Sequence, residues 1–243
     1  MRDKTGSRLR FGIWGIATAC LLVFCAAVAV PTLARADDAR DAQQLVEKAK
    51  LSFEAFLADP DMSGGLRSLV RRGTAVLIYP QVLRGAFIIG VSGGSGVLLA
   101  RDEKANTWGG PAFYTIGEAS FGLQAGGDAA EIVLVALTER GIAALQSSSV
   151  KLGTGFAIAV GPVGAGAEAA TVGLSADIIS YTRTKGLYAG LSLNGAVVAT
   201  RGGLNHAYYG KEVSPTEILI RRTVTNPQAA PLIEAVAKVA SGK

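Results

Sequence analysis

The residues that could perform chemistry are few in this chain. His206 is the only histidine, and the two cysteines, Cys20 and Cys25, both lie in an apolar N-terminal stretch. A lone histidine without a nearby thiolate does not form a zinc site of ordinary type. It could act as a general base, but no serine stands in the Gly-x-Ser-x-Gly context of an activated nucleophile. We therefore expect His206 to be structural, beside Tyr208 and Tyr209, and expect neither a metal nor a cofactor.

Glycine clusters and carboxylates offer two further possibilities. Neither Gly93–Gly96 nor Gly161–Gly166 is followed by the Gly-Lys-Ser/Thr of a phosphate loop, which argues against a nucleotide site. Two carboxylates that met in space could perform acid–base chemistry. Those in apolar surroundings are Glu118, Asp128, Glu131, Glu168 and Asp177. Because spacing brings no two of them together, we assign them to turns and strand edges and predict a protein that is not an enzyme.

Clustered basic residues are the remaining candidate site. Arginine forks and lysine ammonium groups bind phosphate well. The interpretation that needs no ligand is a solvated charged rim, and spacing alone does not decide between the two. The clusters, in chain order, are Arg67, Arg71, Arg72 and Arg84, then Arg183 and Lys185, then Arg201, Lys211, Arg221 and Arg222.

The first 36 residues differ from the rest of the chain. A basic start is followed by an uncharged stretch from Phe11 to Ala34 and by an A-x-A site ending at Ala36, which predicts a secretory signal. An uncleaved membrane anchor is the alternative, because the stretch is long enough to span a bilayer. Without this segment the chain keeps 19 basic and 18 acidic residues, a net charge of +1. That balance gives no indication of nucleic-acid binding. We expect an exported protein, periplasmic or associated with the cell envelope.

Residues 37–59 predict an amphipathic helix, because apolar residues recur at three- and four-residue spacing along one side. The opposite side mixes acidic and basic residues, which does not favour a helix lying on anionic lipid. Packing against a sheet is the alternative to membrane contact. The apolar stripe consists of Ala42, Leu45, Val46, Ala49, Phe53, Phe56 and Leu57.

The centre of the chain predicts β structure. Three apolar runs, Thr74–Tyr79, Gly85–Val91 and Val97–Ala100, predict three strands, with turns at the Pro-Gln break and at the first glycine cluster. Glycines inside the strands indicate a strongly bent sheet. The further predicted strands are Trp108–Ala125, Ala130–Leu137, Lys151–Val160, Ser175–Thr184 and Leu187–Thr200. We predict an α+β fold, a strongly curved and mainly antiparallel β-sheet or barrel with N-terminal and C-terminal flanking helices, in one domain over residues 37–243 with its core in 66–240.

Local signals predict four further helices. A short helix is expected over Leu66–Arg72, and another from a Thr138 cap through Gln146. The sequence Ser-Pro-Thr-Glu from Ser214 has the form of a capping box with proline at the first helical position. The last helix is expected to begin at Pro231 and to end near Gly242.

The segment from Arg84 to Ala100 resembles the segment from Lys185 to Ala199 after shifts of one residue. One explanation is a pair of equivalent hairpins in two halves of one sheet, with Arg84 and Lys185 at equivalent turn positions. The other is the shared residue preference of unrelated hairpins.

Several segments, in a fixed order, carry a family resemblance over about Leu66 to Ala240. They are AVLIYPQVLRGAFIIGVSGGSGVLLARD, WGGPAFYTIGEASFGLQAGG, VALTERGIAAL and YTRTKGLYAGLSLNGAVV, followed by YYG and EIL. Together they resemble the SYLF domain. The resemblance implies a non-enzymatic module that binds lipid, notably phosphoinositides in eukaryotic members, and actin in some members.

The resemblance also indicates where lipid would bind. Eukaryotic members use an N-terminal amphipathic segment and nearby basic residues, and Leu45–Leu57 and Arg67–Arg72 occupy comparable places here. The candidate lipid-binding residues are Leu45, Phe53, Phe56, Arg67, Arg71, Arg72, Arg84, Arg183 and Lys185. We expect binding of anionic phospholipid at the cell envelope, with a protein-interaction or scaffold role as the alternative. An exported chain does not meet cytosolic actin, so the actin role is not carried over.

Overall fold

The computed structural model describes residues 37–86, 89–102, 104–121, 126–161, 176–185 and 193–242. The predicted leader and Glu168 lie outside these residues, as does the side chain of Lys185. The helices are α1 over residues 37–58, α2 (Ser63–Arg72), α3 (Glu139–Gln146), α4 (Gly202–Tyr209), α5 (Pro215–Leu219) and α6 (Ala230–Ala240), the last preceded by a 3₁₀ turn at Pro227–Ala229.

Eight strands form a single sheet in the described part of the chain. They are β1 (Ala75–Ala86), β2 (Ile89–Asp102), β3 (Thr107–Phe121), β4 (Gly126–Ala136), β5 (Ser149–Lys151), β6 (Ile158–Val160), β7 (Ile178–Lys185) and β8 (Val197–Thr200). Their order across the sheet is β5-β8-β3-β2-β1-β4-β7-β6. All neighbours are antiparallel except β6 and β7, which are parallel. The predicted α+β fold, with a mainly antiparallel sheet between N-terminal and C-terminal helices, is confirmed.

The connection between the two edge strands forces the sheet to curl. β5 and β6 lie at opposite edges, yet Lys151 and Ile158 are only seven positions apart in the chain. Seven extended residues reach at most about 25 Å, whereas a flat sheet of eight strands measures about 34 Å across its seven spacings. The sheet is therefore bent into a half-barrel, and residues 152–157 cross its opening.

Each face of the curled sheet has its own hydrophobic core. The inner face carries Leu77 and Tyr79 and is closed by Leu152 and Phe156 from the segment that crosses the opening, together with α3 and α5. The outer face, which carries Val76 and its alternate neighbours, is covered by α1, α2, α4 and α6. Because β1 and β4 are buried on both faces, they appear in the sequence as nearly continuous apolar runs.

The first glycine cluster lies inside a strand, which corrects the prediction of a turn there. β1 and β2 are two long strands where we predicted three, and the Pro-Gln break is a bulge at which β1 shifts register against both neighbours. A proline fits a central strand only at such a bulge. A Cβ atom on Gly96 would lie 2.5 Å from the Tyr79 ring and 2.6 Å from the Ile78 carbonyl oxygen. Glycine is required here because the two strands approach closely.

The helix-end signals are confirmed by their hydrogen bonds. The Thr138 hydroxyl accepts from the Gly141 amide at the start of α3. At α5, the Ser214 hydroxyl accepts from the Glu217 amide, and the Glu217 carboxylate accepts from the Ser214 amide at 2.9 Å. α4 was not predicted, because it begins with two glycines, which have low helix propensity.

Three further strand predictions need correction or lie partly outside the described residues. The predicted strand Lys151–Val160 is two short edge strands, β5 and β6. Of the predicted pair of equivalent hairpins, the first is the β1–β2 pair, whereas residues 186–192 of the second lie outside the described residues. The strands that flank them, β7 and β8, do not pair with each other. Of the predicted strand Leu187–Thr200, the structure describes residues 193–200, and only β8 is a strand there.

We predict that Gly96→Ala destabilises the protein by about 2 kcal/mol or more, because the added methyl group overpacks a rigid contact between strands. Gly85→Ala is the matched control, since a Cβ atom on this strand glycine would meet nothing within 4 Å. Urea unfolding of both variants gives the free energies of unfolding. Equal midpoints for the two variants would contradict the close approach of β1 and β2.

Candidate ligand-binding surface

The apolar stripe of α1 is packed against the outer face of the sheet. Phe53 and Phe56 are fully buried, and Leu45 and Leu57 are half-buried beside them. Lipid contact by the two phenylalanines would require α1 to leave the sheet. Exposing each large apolar side chain costs about 1.5–3 kcal/mol, and the whole stability of a domain is about 5–15 kcal/mol. The docked helix therefore presents its other surfaces to a ligand.

Arg183 fastens α1 to the sheet. Its Nε donates to the Glu131 carboxylate at 2.6 Å, and Nη2 forms an ion pair with the same oxygen. Nη1 donates to the Ala55 carbonyl oxygen at 3.3 Å, and the guanidinium lies 5.4 Å from the centre of the Phe56 ring. All three guanidinium nitrogens are thus engaged within the protein. Arg183, a candidate lipid-binding residue, joins β7, β4 and α1.

Most basic residues of the first predicted cluster meet at the end of α2. Arg67 and Arg71 are four positions apart on α2, and the Arg71 guanidinium lies beside Gly242, just after α6. Arg101 donates from Nη1 to the Arg71 carbonyl oxygen at 3.0 Å, which places a further arginine beside this helix end. Arg71 and the adjacent Arg72 are exposed. We call Arg67, Arg71, Arg72 and Arg101, with Lys238 of α6, the α2 basic cluster.

A cleft opens between α1, α2 and the last turns of α6, which we call the α1–α6 cleft. Its volume is about 330 Å³, and Leu57, Ala235 and Val239 give it aliphatic walls. Arg67 and Lys238 bring positive charge to it. Glu54 is the one carboxylate in its lining, and it forms an ion pair with Lys50 at 2.8 Å. The cleft therefore combines an apolar wall with a cationic rim.

Arg84 lies apart from the α2 basic cluster. It faces Asp128, its direct partner across β1 and β4, with 3.7 Å between Nη1 and Oδ2. The Asp128 side chain is almost fully buried, and its carboxylate has no hydrogen-bond partner among the described residues. Lys185 lies opposite Ala129 in the register of β7 and β4. Of the predicted lipid-binding arginines, Arg67, Arg71 and Arg72 are thus brought together, whereas Arg84 and Arg183 pair with carboxylates.

His206, which was considered above for catalysis, has a carboxylate partner within the protein. His206 Nδ1 lies 2.7 Å from a carboxylate oxygen of the exposed Glu212. Its neighbour Tyr208 packs edge-on against Phe113 and Tyr209, with ring centres 5.1 Å apart in both pairs. No three metal-ligating side chains come together within the residues that the structure describes. The described helices include none with the length and apolarity needed to cross a membrane.

Asp177 is a buried junction between three segments. Its carboxylate accepts hydrogen bonds from Thr138 at 2.6 Å, from Arg140 at 2.8 and 3.1 Å and from the Ala157 amide at 2.8 Å. These bonds, with Arg140 contributing most, lower the pKa of Asp177 from 3.8 to about 2. A carboxyl group held ionised in this way stabilises the fold and is a poor proton donor near neutral pH.

Comparison with known proteins identifies the family. A family model described as "Ysc84: Las17-binding protein actin regulator" matches residues 117–239, half of the chain. The chain belongs to the Ysc84 family. This match confirms the SYLF resemblance. It runs from the last residues of β3 into α6 and includes Lys238 and the C-terminal wall of the α1–α6 cleft.

The similar curated proteins are eukaryotic and longer than the matched region. Protein YSC84 of Saccharomyces cerevisiae is 31% identical over 167 residues, which are 67% of this Ysc84-family chain and 35% of that protein. SH3 domain-containing YSC84-like protein 1 of Xenopus laevis is 31% identical over 166 residues, 67% and 48% of the two chains. LAS seventeen-binding protein 3 of Saccharomyces cerevisiae is 29% identical over 165 residues, 66% and 35%. The matched region thus spans less than half the length of these relatives.

Sequence reasoning missed three residues of this family member's candidate surface. Lys238 lines the α1–α6 cleft, Arg101 lies at the end of α2, and Glu54 faces the cleft from α1. A basic residue in the last turn of a helix was a usable signal for Lys238. The position of Arg101 depends on the pairing of β2 with β1, and no local pattern reports that pairing.

We predict that Arg183→Met loosens α1, because it removes the ion pair with Glu131 and leaves that half-buried carboxylate without its partner. Amide hydrogen exchange in residues 37–58 should accelerate by about tenfold. Lys50→Met is the matched control on the same helix, since it removes only a surface ion pair. Similar exchange in both variants would show that Arg183 does not hold α1.

The lowered pKa of Asp177 predicts a defined pH dependence. The stabilising effect of the ionised carboxylate is complete above the ordinary pKa of 3.8 and is lost as the pH falls through about 2. The difference in free energy of unfolding between the parent and Asp177→Asn should therefore be largest above about pH 4 and shrink towards pH 2. Urea unfolding across this range measures it, with the exposed Asp61→Asn as control. A difference independent of pH would contradict the assignment.

Proposed function

We propose that this Ysc84-family protein is a non-enzymatic module that binds anionic phospholipid at the cell envelope. The observation that carries the proposal is the α1–α6 cleft, where aliphatic walls adjoin the α2 basic cluster. An anionic phospholipid presents the same combination, with phosphate oxygens next to hydrocarbon. The phosphoinositide preference of eukaryotic SYLF domains supports a phosphate ligand.

The α2 basic cluster suits a phosphate group for two reasons. Guanidinium groups bind phosphate oxygens through paired hydrogen bonds, and the exposed Arg71 and Arg72 have their guanidinium groups free of ion pairs within the described residues. Each Arg or Lys near an anionic membrane contributes about 1 kcal/mol of attraction. The cleft walls from Leu57, Ala235 and Val239 adjoin this charge and offer contact to the glycerol and upper acyl region of a lipid.

The location at the envelope is part of the proposal. It is supported by the predicted signal in residues 1–36 and by a remainder without cysteine. We likewise propose that the protein catalyses no reaction, because His206, Glu131 and Asp177 each have a partner within the protein.

A second candidate is a protein-binding or scaffold role at the envelope. The family description names a Las17-binding protein and actin regulator, which supports protein partners for members of this family. In that case the exposed arginines would contact acidic side chains of a partner. If the protein binds a partner protein and binds anionic and neutral vesicles equally, the scaffold role is favoured over lipid binding.

We predict that Arg71→Glu combined with Arg72→Glu lowers binding to anionic vesicles by about tenfold or more, because two attractive charges become repulsive. The measurement is co-sedimentation of the chain from Asp37 with phosphatidylglycerol, cardiolipin or phosphoinositide vesicles, compared with neutral phosphatidylcholine vesicles.

The control variant for this experiment is Lys211→Glu combined with Arg221→Glu, which makes the same change of net charge at two other exposed positions. Equal loss in both variants would indicate a non-specific effect of net charge. Binding by the parent protein that is equal on charged and neutral vesicles would remove the lipid proposal.

A further inference from the structure

One end of the sheet shows an inverted distribution of polar and apolar residues. It consists of the last residues of β1 and β3 and the first residues of β2 and β4. On the inner face Arg84 of β1 lies between Ser92 of β2 and Asp128 of β4. Glu118 of β3 is the neighbour of Ser92 on its other side. On the outer face the four strands carry Leu83, Val91, Ala119 and Ala129, and glycine at every position between them. The charged residues thus lie inside the curl and the apolar residues outside.

This outer surface, which we call the strand-end face, is not covered by the helices. Leu83 is 57% exposed and Val91 is 60% exposed. A Cβ atom on Gly85, which lies between them in the β1–β2 register, would meet no atom within 4 Å. Within the described residues the face is therefore uncharged and open.

A groove adjoins the strand-end face and adds polar groups to it. It lies between α1 and the β1 bulge, has a volume of about 300 Å³ and includes Ala129, which also belongs to the face. Lys48 and the exposed Leu51 line it from α1. Ser52 also lines it and is 3% exposed, and its hydroxyl has no hydrogen-bond partner among the described residues. Such a hydroxyl is available to a water molecule or to a polar group of a ligand in the groove.

The size of the strand-end face decides between a protein and a lipid surface. Four strands measure about 14 Å across, and the exposed part is a few residues long. A stable protein interface buries about 800 Å² on each partner, which is far more than the described residues of this face offer. A bilayer requires only a few apolar side chains next to a cationic group, and Lys48 of the adjoining groove supplies one.

We propose that the strand-end face, with Leu83 and Val91 foremost, is the part of this protein that enters the lipid interface, while α1 stays docked. This inference rests on the proposed lipid-binding function and names a contact separate from the α2 basic cluster. The α2 basic cluster lies at the start of β1 and the strand-end face at its end, so the two contacts can be tested separately. Lys48 contacts the phosphate groups of the lipid, and the Ser52 hydroxyl donates to an ester oxygen of a lipid that enters the groove.

The test places a reporter on the face of the full-length chain. Cys20→Ser and Cys25→Ser remove the native thiols, and Val91→Cys then carries a single environment-sensitive fluorophore. Val160→Cys is the matched control, because Val160 is 63% exposed on β6, outside the face. The vesicles contain phosphatidylglycerol, with or without lipids brominated along the acyl chains.

The expected result is a blue shift and bromolipid quenching at position 91 and neither at position 160. Because the reporter is local, a leader that anchors the chain does not imitate this result. Bound protein with no quenching at position 91 would overturn the inference and leave the proposed function standing. Protein that does not bind the vesicles would overturn both. Self-quenching of the fluorophore at position 91 in the absence of lipid would show that two chains meet at this face. That result would reject the inference.

A pair of substitutions provides an independent measurement. Leu83→Asn with Val91→Asn should lower the partition into phosphatidylglycerol vesicles by about tenfold, since two half-exposed apolar side chains lose their transfer to hydrocarbon. Val160→Asn with Ile220→Asn is the control, because these side chains are similarly exposed, at 63% and 57%, elsewhere on the protein. Thermal unfolding confirms that both variants are folded. Equal partition of the two paired variants would reject the inference. If Val91→Cys impairs folding, the fluorophore of the first experiment is placed at Leu83→Cys instead.

Discussion

The structure depends on the short connection between the two edges of its sheet. Because β5 and β6 are joined by only six residues, the eight strands cannot lie flat, and the curl divides the molecule into an inner and an outer face. The inner face must then be filled by side chains and the outer face covered by helices. Gly96 and the β1 bulge follow from the same constraint, because a tightly bent sheet brings the Tyr79 ring against the backbone of β2.

The helix layer on the outer face is shorter than the strands beneath it. Arg183 and the two phenylalanines hold α1 on the outer face next to β4 and β7. On one side of α1 the α1–α6 cleft opens towards α2 and α6, and on the other side a groove opens towards the β1 bulge. The first side holds arginines and the second adjoins apolar strand ends. This chain thus has two different open surfaces next to one fixed helix.

The sequence was informative wherever a local signal determines the structure. The amphipathic pattern of residues 37–59, the Thr138 cap and the Ser214 box each report on a few neighbouring residues, and all three predicted their helices. The glycine cluster was misjudged, because glycine serves a turn and a close strand contact equally well. The role of Arg183 was also out of reach, since it depends on Glu131 and Ala55, which are 52 and 128 positions away. Only the order of strands across the sheet, which no local pattern encodes, brings them together.

The position of β8 has a consequence for how the chain reaches this structure. β8 lies between β3 and β5, and β5 has no other strand partner among the described residues. A nascent chain that has emerged only as far as β7 can pair its central strands but leaves β3 with a bare edge. Contacts between segments so distant in sequence form slowly, and an unpaired strand edge invites association with other chains. The complete sheet cannot form until residue 200 has been synthesised. Before that point the chain is most dependent on a chaperone.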